Sequence, residues 1–182
     1  YNQAFEIQES FRNRYLKHCH EICRLDNRLF LTSTGFDCIL AFNLDTGEFD
    51  WGFQLQRALG KWSGYTFDPR APTGPAPVND FHINMVHVDA SGIFLSGLKT
   101  GALLRLNRKW DVSIVCELPP GTHNARPWRD GVLFNDTAAD CVRYADRNGA
   151  EKAFKIITYD ESEVQFAGVD DSNIARQGFG RG

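Results

Sequence analysis

The chain has 182 residues, 42% of them hydrophobic, enough for one sizeable core in a globular protein. Lys and Arg number 20 against 23 Asp and Glu, a net charge of -3 with no basic stripe, so neither nucleic acid nor an anionic membrane is an expected partner. No apolar run approaches the ~20 residues of a membrane helix, and the N-terminus lacks the basic-then-apolar layout of a signal peptide, so the expected setting is cytoplasmic.

Along the chain, the opening stretch "AFEIQESFRNRYLKHC" suits either a helix or an extended outer strand. It runs into "HCHEIC", His18 to Cys23, which has the residue types of a metal knuckle. On a strand, however, alternate side chains point to opposite faces, so His18 and His20 diverge from Cys19, Glu21 and Cys23 and the stretch alone cannot surround one ion. The following runs, "RLFLTST", "DCILAFNLDTGEF", "GIFLSGLKTGALLRLNR", "VSIVCEL" and "GVLFNDTAADCVRYADRNG", are short, apolar or alternating, and are broken by Gly, Asn and Asp clusters. That is the pattern of an all-β fold. Five cysteines, without a CxxC pair, predict free thiols in a reducing compartment.

Three segments register without a gap: His20 to Asn43, Asn84 to Asn107, and His123 to Asp146. His20, Asn84 and His123 occupy one place, Phe30, Phe94 and Leu133 a second. The pairs Asp37-Cys38, Gly101-Ala102 and Asp140-Cys141 occupy a third, with each marker residue 18 positions before the small one. With outer strands near "EFDWGF", "VSIVCEL" and "EKAFKII", each copy supplies four antiparallel strands in a unit of ~40 residues, the size of a β-propeller blade. The predicted architecture is an all-β partial β-propeller forming a single domain over residues 1–182. It comprises three blades, about 20–58, 82–118 and 123–160, and the start of a fourth. The copies begin 64 and then 39 residues apart; the excess falls in 59–80, rich in Pro, Gly and aromatics, which reads as a long inter-blade loop. Its Trp62, Tyr65 and Phe67 serve either as a lid or contact surface, or as anchors to the body.

First strands of a propeller line its central channel, so His20, His82 and His123 are expected to converge there from successive blades. Imidazoles so gathered can hold a divalent metal, zinc or calcium, which would acidify a bound water or polarise a carbonyl. They also suit a metal-free pocket for a small polar ligand, or a purely structural role. Asn84, Lys99, Asn135 and Asp136 are the candidates to complete such a pocket, the last three from turns opening on the same side. Asp37 and Asp140 are expected to close Asx-turns on their own backbone. Cys38 and Cys141 share their place with Ala102 and read as small buried side chains. No GxSxG, P-loop, HExxH or strand-borne GxGxxG motif is present.

Together, "HCHEICRLDNRLFLTSTGFDCILAF", "FHINMVHVD", "GTHNARPWRDGVLFND" and the closing "RQGFGRG" resemble the six-bladed propeller superfamily of NHL-repeat and gluconolactonase-like proteins. The nearest likeness is to a poorly characterised bacterial family whose blades open with "CH-D/N" or "PH" and later carry "GF-RG". The resemblance implies a toroid with a ligand-binding central face, which in better-known relatives carries a metal for lactone hydrolysis or peptide-amide lyase chemistry. His20, His82, Asn84 and His123 match family-like positions, whereas the lactonase's acidic ligand from its first blade has no counterpart. The expected function is binding of a small polar molecule or metal at the channel, with metal-assisted hydrolysis or lysis as its extension. The alternative is a non-catalytic interaction scaffold or an accessory domain of a larger enzyme. Three blades leave open edges, so the expected partner besides a small-molecule ligand is either the missing remainder of the propeller or a second copy in a homo-dimer. A start at Tyr1 and an end at "GFGRG" favour the fragment.

Overall fold

The computed structural model describes residues 3–157, and the closing "GFGRG" lies outside them. Thirteen strands are present among the described residues, β1 (Ile22–Leu25), β2 (Arg28–Ser33), β3 (Cys38–Asn43), β4 (Glu48–Ala58), β5 (Lys61–Phe67), β6 (Ile83–Asp89), β7 (Gly92–Gly97), β8 (Ala102–Leu106), β9 (Val112–Glu117), β10 (Thr122–Trp128), β11 (Gly131–Asp136), β12 (Cys141–Asp146) and β13 (Glu151–Lys155). They form three antiparallel sheets in simple chain order, β1–β5, β6–β9 and β10–β13. The inner strand of each later sheet packs against the sheet before it, which is a propeller-like succession of blades.

The sequence repeat has a backbone cause. β2, β7 and β11 begin at Arg28, Gly92 and Gly131, and β3, β8 and β12 at Cys38, Ala102 and Cys141, reproducing the spacings of 64 and 39 residues. The residue before each third strand is left-handed: Asp37 (φ 47°), Gly101 (φ 60°) and Asp140 (φ 48°). Asp and Gly are among the few residues that tolerate that conformation. The next position takes only a small side chain, and Cys38, Ala102 and Cys141 are all buried.

Two apolar interfaces join the sheets. Between the first and second, Phe30, Ile39 and Phe53 meet Ile83, Val86, Leu95 and Leu104. Between the second and third, Met85, Phe94 and Leu103 meet Ala125, Val132 and Phe134. Each of the larger side chains contributes roughly 1.5–3 kcal/mol by leaving water. Polar ties cross the same seams: Thr34 Oγ1 donates to the Ile83 carbonyl at 2.5 Å, and Ser96 Oγ to that of Ala125 at 3.4 Å.

Two expectations are corrected. The interval 59–80 is not all loop, because β5 adds a fifth strand to the first sheet across a tight turn at Leu59 and Gly60, both left-handed. A Cβ on Gly64 of β5 would lie 2.3 Å from the Gln54 carbonyl oxygen, so glycine is what lets β5 lie this close to β4. The opening residues are neither helix nor strand. They cross the outer face of the first sheet, where Phe11 lies 4.7 Å from Phe42, and Tyr15 meets Phe36 and Phe67 edge-on at 5.7 and 5.2 Å. Ser33 fastens them, donating to the Tyr15 carbonyl and accepting from the Lys17 amide at 3.0 Å.

Leu104 is fully buried at the first seam. Leu104→Ala is expected to lower stability by about 2–5 kcal/mol, measured by urea denaturation.

Candidate functional site

The segment before β1, the turn before β6, the β7–β8 turn and the start of β10 meet at one end of the sheets. His18 and His82 both have left-handed backbones, φ 56° and 54°. The chain is held there by hydrogen bonds: Thr32 Oγ1 accepts from the His20 and Glu21 amides at 2.9 and 3.0 Å, and the His82 carbonyl accepts from the Leu98 amide at 3.2 Å. Lys99 donates its amide to the Phe81 carbonyl at 3.1 Å, which ties the β7–β8 turn beside His82.

This arrangement brings the imidazoles of His20 and His82 to 5.3 Å between ring centroids. Partial burial lowers the His82 pKa below the usual imidazole range, and the charges of His20, His123, Lys99 and His18 push it the same way. His20 before the first sheet and His82 before the second therefore meet, with His123 acting electrostatically on His82. The contact to His20 is made by His82, while the repeat-equivalent Asn84 is the extra residue of a β-bulge between Ile83 and Met85. Asn84 is 1% exposed, and neither amide atom has a hydrogen-bond partner. His123 sits on β10 opposite Asn135, with its Nδ1 3.2 Å from the Gly121 carbonyl oxygen. Among the described residues, no group of three or more His, Cys, Asp or Glu is disposed to hold a metal ion.

The remaining candidates separate. Lys99 is exposed beside His82. Asn135 and Asp136 belong to the end of β11 rather than to a turn. Asp136 is engaged structurally, since it is buried, pairs with Arg143 at 2.8 Å and accepts from the Ala139 amide at 3.2 Å. Asp37 does not close an Asx-turn on its own backbone. Its Oδ2 accepts from the Asp80 and Phe81 amides at 2.6 and 3.0 Å, which clamps the approach to His82. Burial raises its pKa against the opposing pull of those amides. Trp62 and Tyr65 are anchors: Trp62 packs on Phe81 at 5.0 Å under the Arg57 guanidinium, and the Tyr65 hydroxyl donates to Gln54 Oε1 at 2.9 Å.

One further pair has no local sequence signal. Glu21, just before β1, forms an ion pair with Arg126 of β10, joining the first and third sheets near the same end. Glu21 Oε2 is buried without a partner. All five cysteines are free, and burial raises the thiol pKa values of Cys19, Cys38 and Cys116.

No family model and no curated protein sequence matches the chain. Solved structures similar to it include virginiamycin B lyase from Staphylococcus aureus, 13% identical with a TM-score of 0.46, over 76% of this chain and 41% of the lyase. A streptogramin B lyase is 12% identical with a TM-score of 0.49, over 81% of this chain and 43% of that one. A computationally designed protein, Ika4, is 8% identical with a TM-score of 0.37, over 84% and 100%. The chain thus spans less than half the length of either lyase.

Two outcomes follow from these groups. The lowered His82 pKa means that folding disfavours its protonated form. Its contribution is complete above the unfolded value of about 6.5 and is lost as pH falls through the lower folded value. Thermal melts between about pH 7.5 and 5 are expected to show this loss, and His82→Gln to reduce it. Replacing the unpartnered amide in Asn84→Leu is expected to raise stability by about 1 kcal/mol, measured by urea denaturation.

Proposed function

We propose that the chain is a propeller-type domain that binds a small anionic ligand, carrying a carboxylate or phosphate group, at the end where the histidines meet. The observation that carries this reading is the approach of His20 to His82, 5.3 Å between rings drawn from two different sheets, with Lys99 and His123 acting on the same locus. Such groups repel one another when protonated, and an anion between them relieves the repulsion. Its arrival would raise the His82 pKa and draw in a proton, and charge-assisted hydrogen bonds from imidazolium and ammonium would hold the oxygens.

Metal-assisted hydrolysis or lysis, and membership of the six-bladed NHL-repeat and gluconolactonase-like superfamily, belong to the same reading as its extension. A zinc ion takes imidazole nitrogen readily, and His20 with His82 would supply two donors, leaving others to come from His123 or the ligand.

Calorimetric titration with inorganic phosphate and with succinate tests the proposal. Affinity is expected to rise from about pH 7.5 to about pH 6 with uptake of a proton. His82→Gln and Lys99→Ala are each expected to weaken binding about tenfold. Affinity independent of pH and of both substitutions would overturn it. Stoichiometric zinc binding that His20→Ala abolishes, without any anion binding, would favour the metal instead.

A further inference from the structure

At the opposite end of the first seam, the turns after β1, β6 and β8 surround a cleft of about 520 Å³. That volume is within the range of small-molecule sites, roughly 300–1,000 Å³, and its apolar walls with a few polar groups match their usual make-up. Phe30 and Val88 line it, and Trp51 and Trp110 form an aromatic wall with ring centroids 5.1 Å apart.

Three observations mark this cleft as more than a gap between sheets. Trp110 is 43% exposed and has a left-handed backbone, φ 67°, an uncommon conformation for a bulky aromatic. The β8–β9 turn enforces it: Trp110 donates its amide to the Asn107 carbonyl at 3.0 Å, and Asn107 Oδ1 accepts from Lys109 and Asp111 at 2.8 and 3.0 Å. Backbone held this way often marks a ligand clamp. Among the charged groups of the lining, Arg28 is engaged by Asp50 and Asp89 by Ser91. The side chains of Arg108 and Asp26, on facing turns, bond to nothing among the described residues.

We infer that this cleft is a binding site for a small aromatic zwitterion, an aromatic amino acid being the simplest. The ring would lie against Trp110 and the apolar floor. Its carboxylate would accept from the Arg108 guanidinium, and its ammonium would face Asp26. Aromatic stacking and a charge-assisted pair at either end are what this lining offers. The site lies at the other end of the sheets from the histidines and does not depend on the proposed anion site.

Titration with L-phenylalanine, followed by tryptophan fluorescence excited where phenylalanine does not absorb and by calorimetry, tests the inference. Saturable binding at one site is expected, with 3-phenylpropionate and phenethylamine each about tenfold weaker because each lacks one charged group. Arg108→Ala, on an exposed turn, is expected to weaken phenylalanine about tenfold while leaving phenethylamine unchanged. Trp110→Gly, which relieves the backbone, is expected to remain folded by circular dichroism and to lose binding. No saturable response, equal affinity for all three probes, retained binding in Trp110→Gly, or loss of binding in His82→Gln would each overturn the assignment.

Discussion

The burial of β6 against the first sheet is the contact on which the rest of this structure depends. Ile83, Val86 and Val88 give up their water to Phe30, Ile39 and Phe53, and the only way for strands in chain order to do this is to stack one sheet on the next. The same operation is repeated when β10 enters against the second sheet. Each third strand starts with a small buried side chain after a left-handed residue, Cys38 in the outer core of the first sheet and Ala102 at the first seam. The recurrence of the Asp-Cys, Gly-Ala and Asp-Cys pairs therefore reflects the turn and packing rather than chemistry.

Stacking sheets by their inner strands also determines where the polar groups go. The starts of successive inner strands fall at one end, so whatever stands at those starts is gathered without any dedicated loop. Histidines stand there, and at His82 partial burial beside other positive groups makes protonation costly. The turns at the far end of the same strands enclose the aromatic cleft. One interface thus creates two differently furnished ends, one rich in imidazole and one in indole.

The two outermost faces are treated differently. On the first sheet, Phe11, Tyr15 and Leu16 lie across Leu40, Phe42 and Phe36, and β5 closes the side with Phe67. On the third sheet, Trp128 and Phe154 stand 51% and 59% exposed among the described residues. The first sheet's outer core is accordingly sealed by its own chain, through backbone bonds to Ser33 that no periodic pattern encodes.

Local alternation and turn chemistry made the strands legible. The second, third and outer strands of all three sheets lie where the repeat predicts, because side-chain period and the left-handed residue are properties of a few neighbouring positions. β5 was missed because its exposed alternation carries a glycine, whose role is to admit a backbone from across the sheet. The meeting of His20 and His82 depends on the segment before β1 lying beside the turn before β6. The burial of Asn84 had no sequence signal, since a bulge shifts the inner strand by a residue there. The Glu21 and Arg126 pair, 105 residues apart, and the clamp of Asp37 on the amides of Asp80 and Phe81 had no sequence signal either. The sequence by itself determined the strand content and the repeat. Tertiary structure alone decided which side chains meet at either end of the sheets, because contact depends on long-range register and burial, which no local pattern contains.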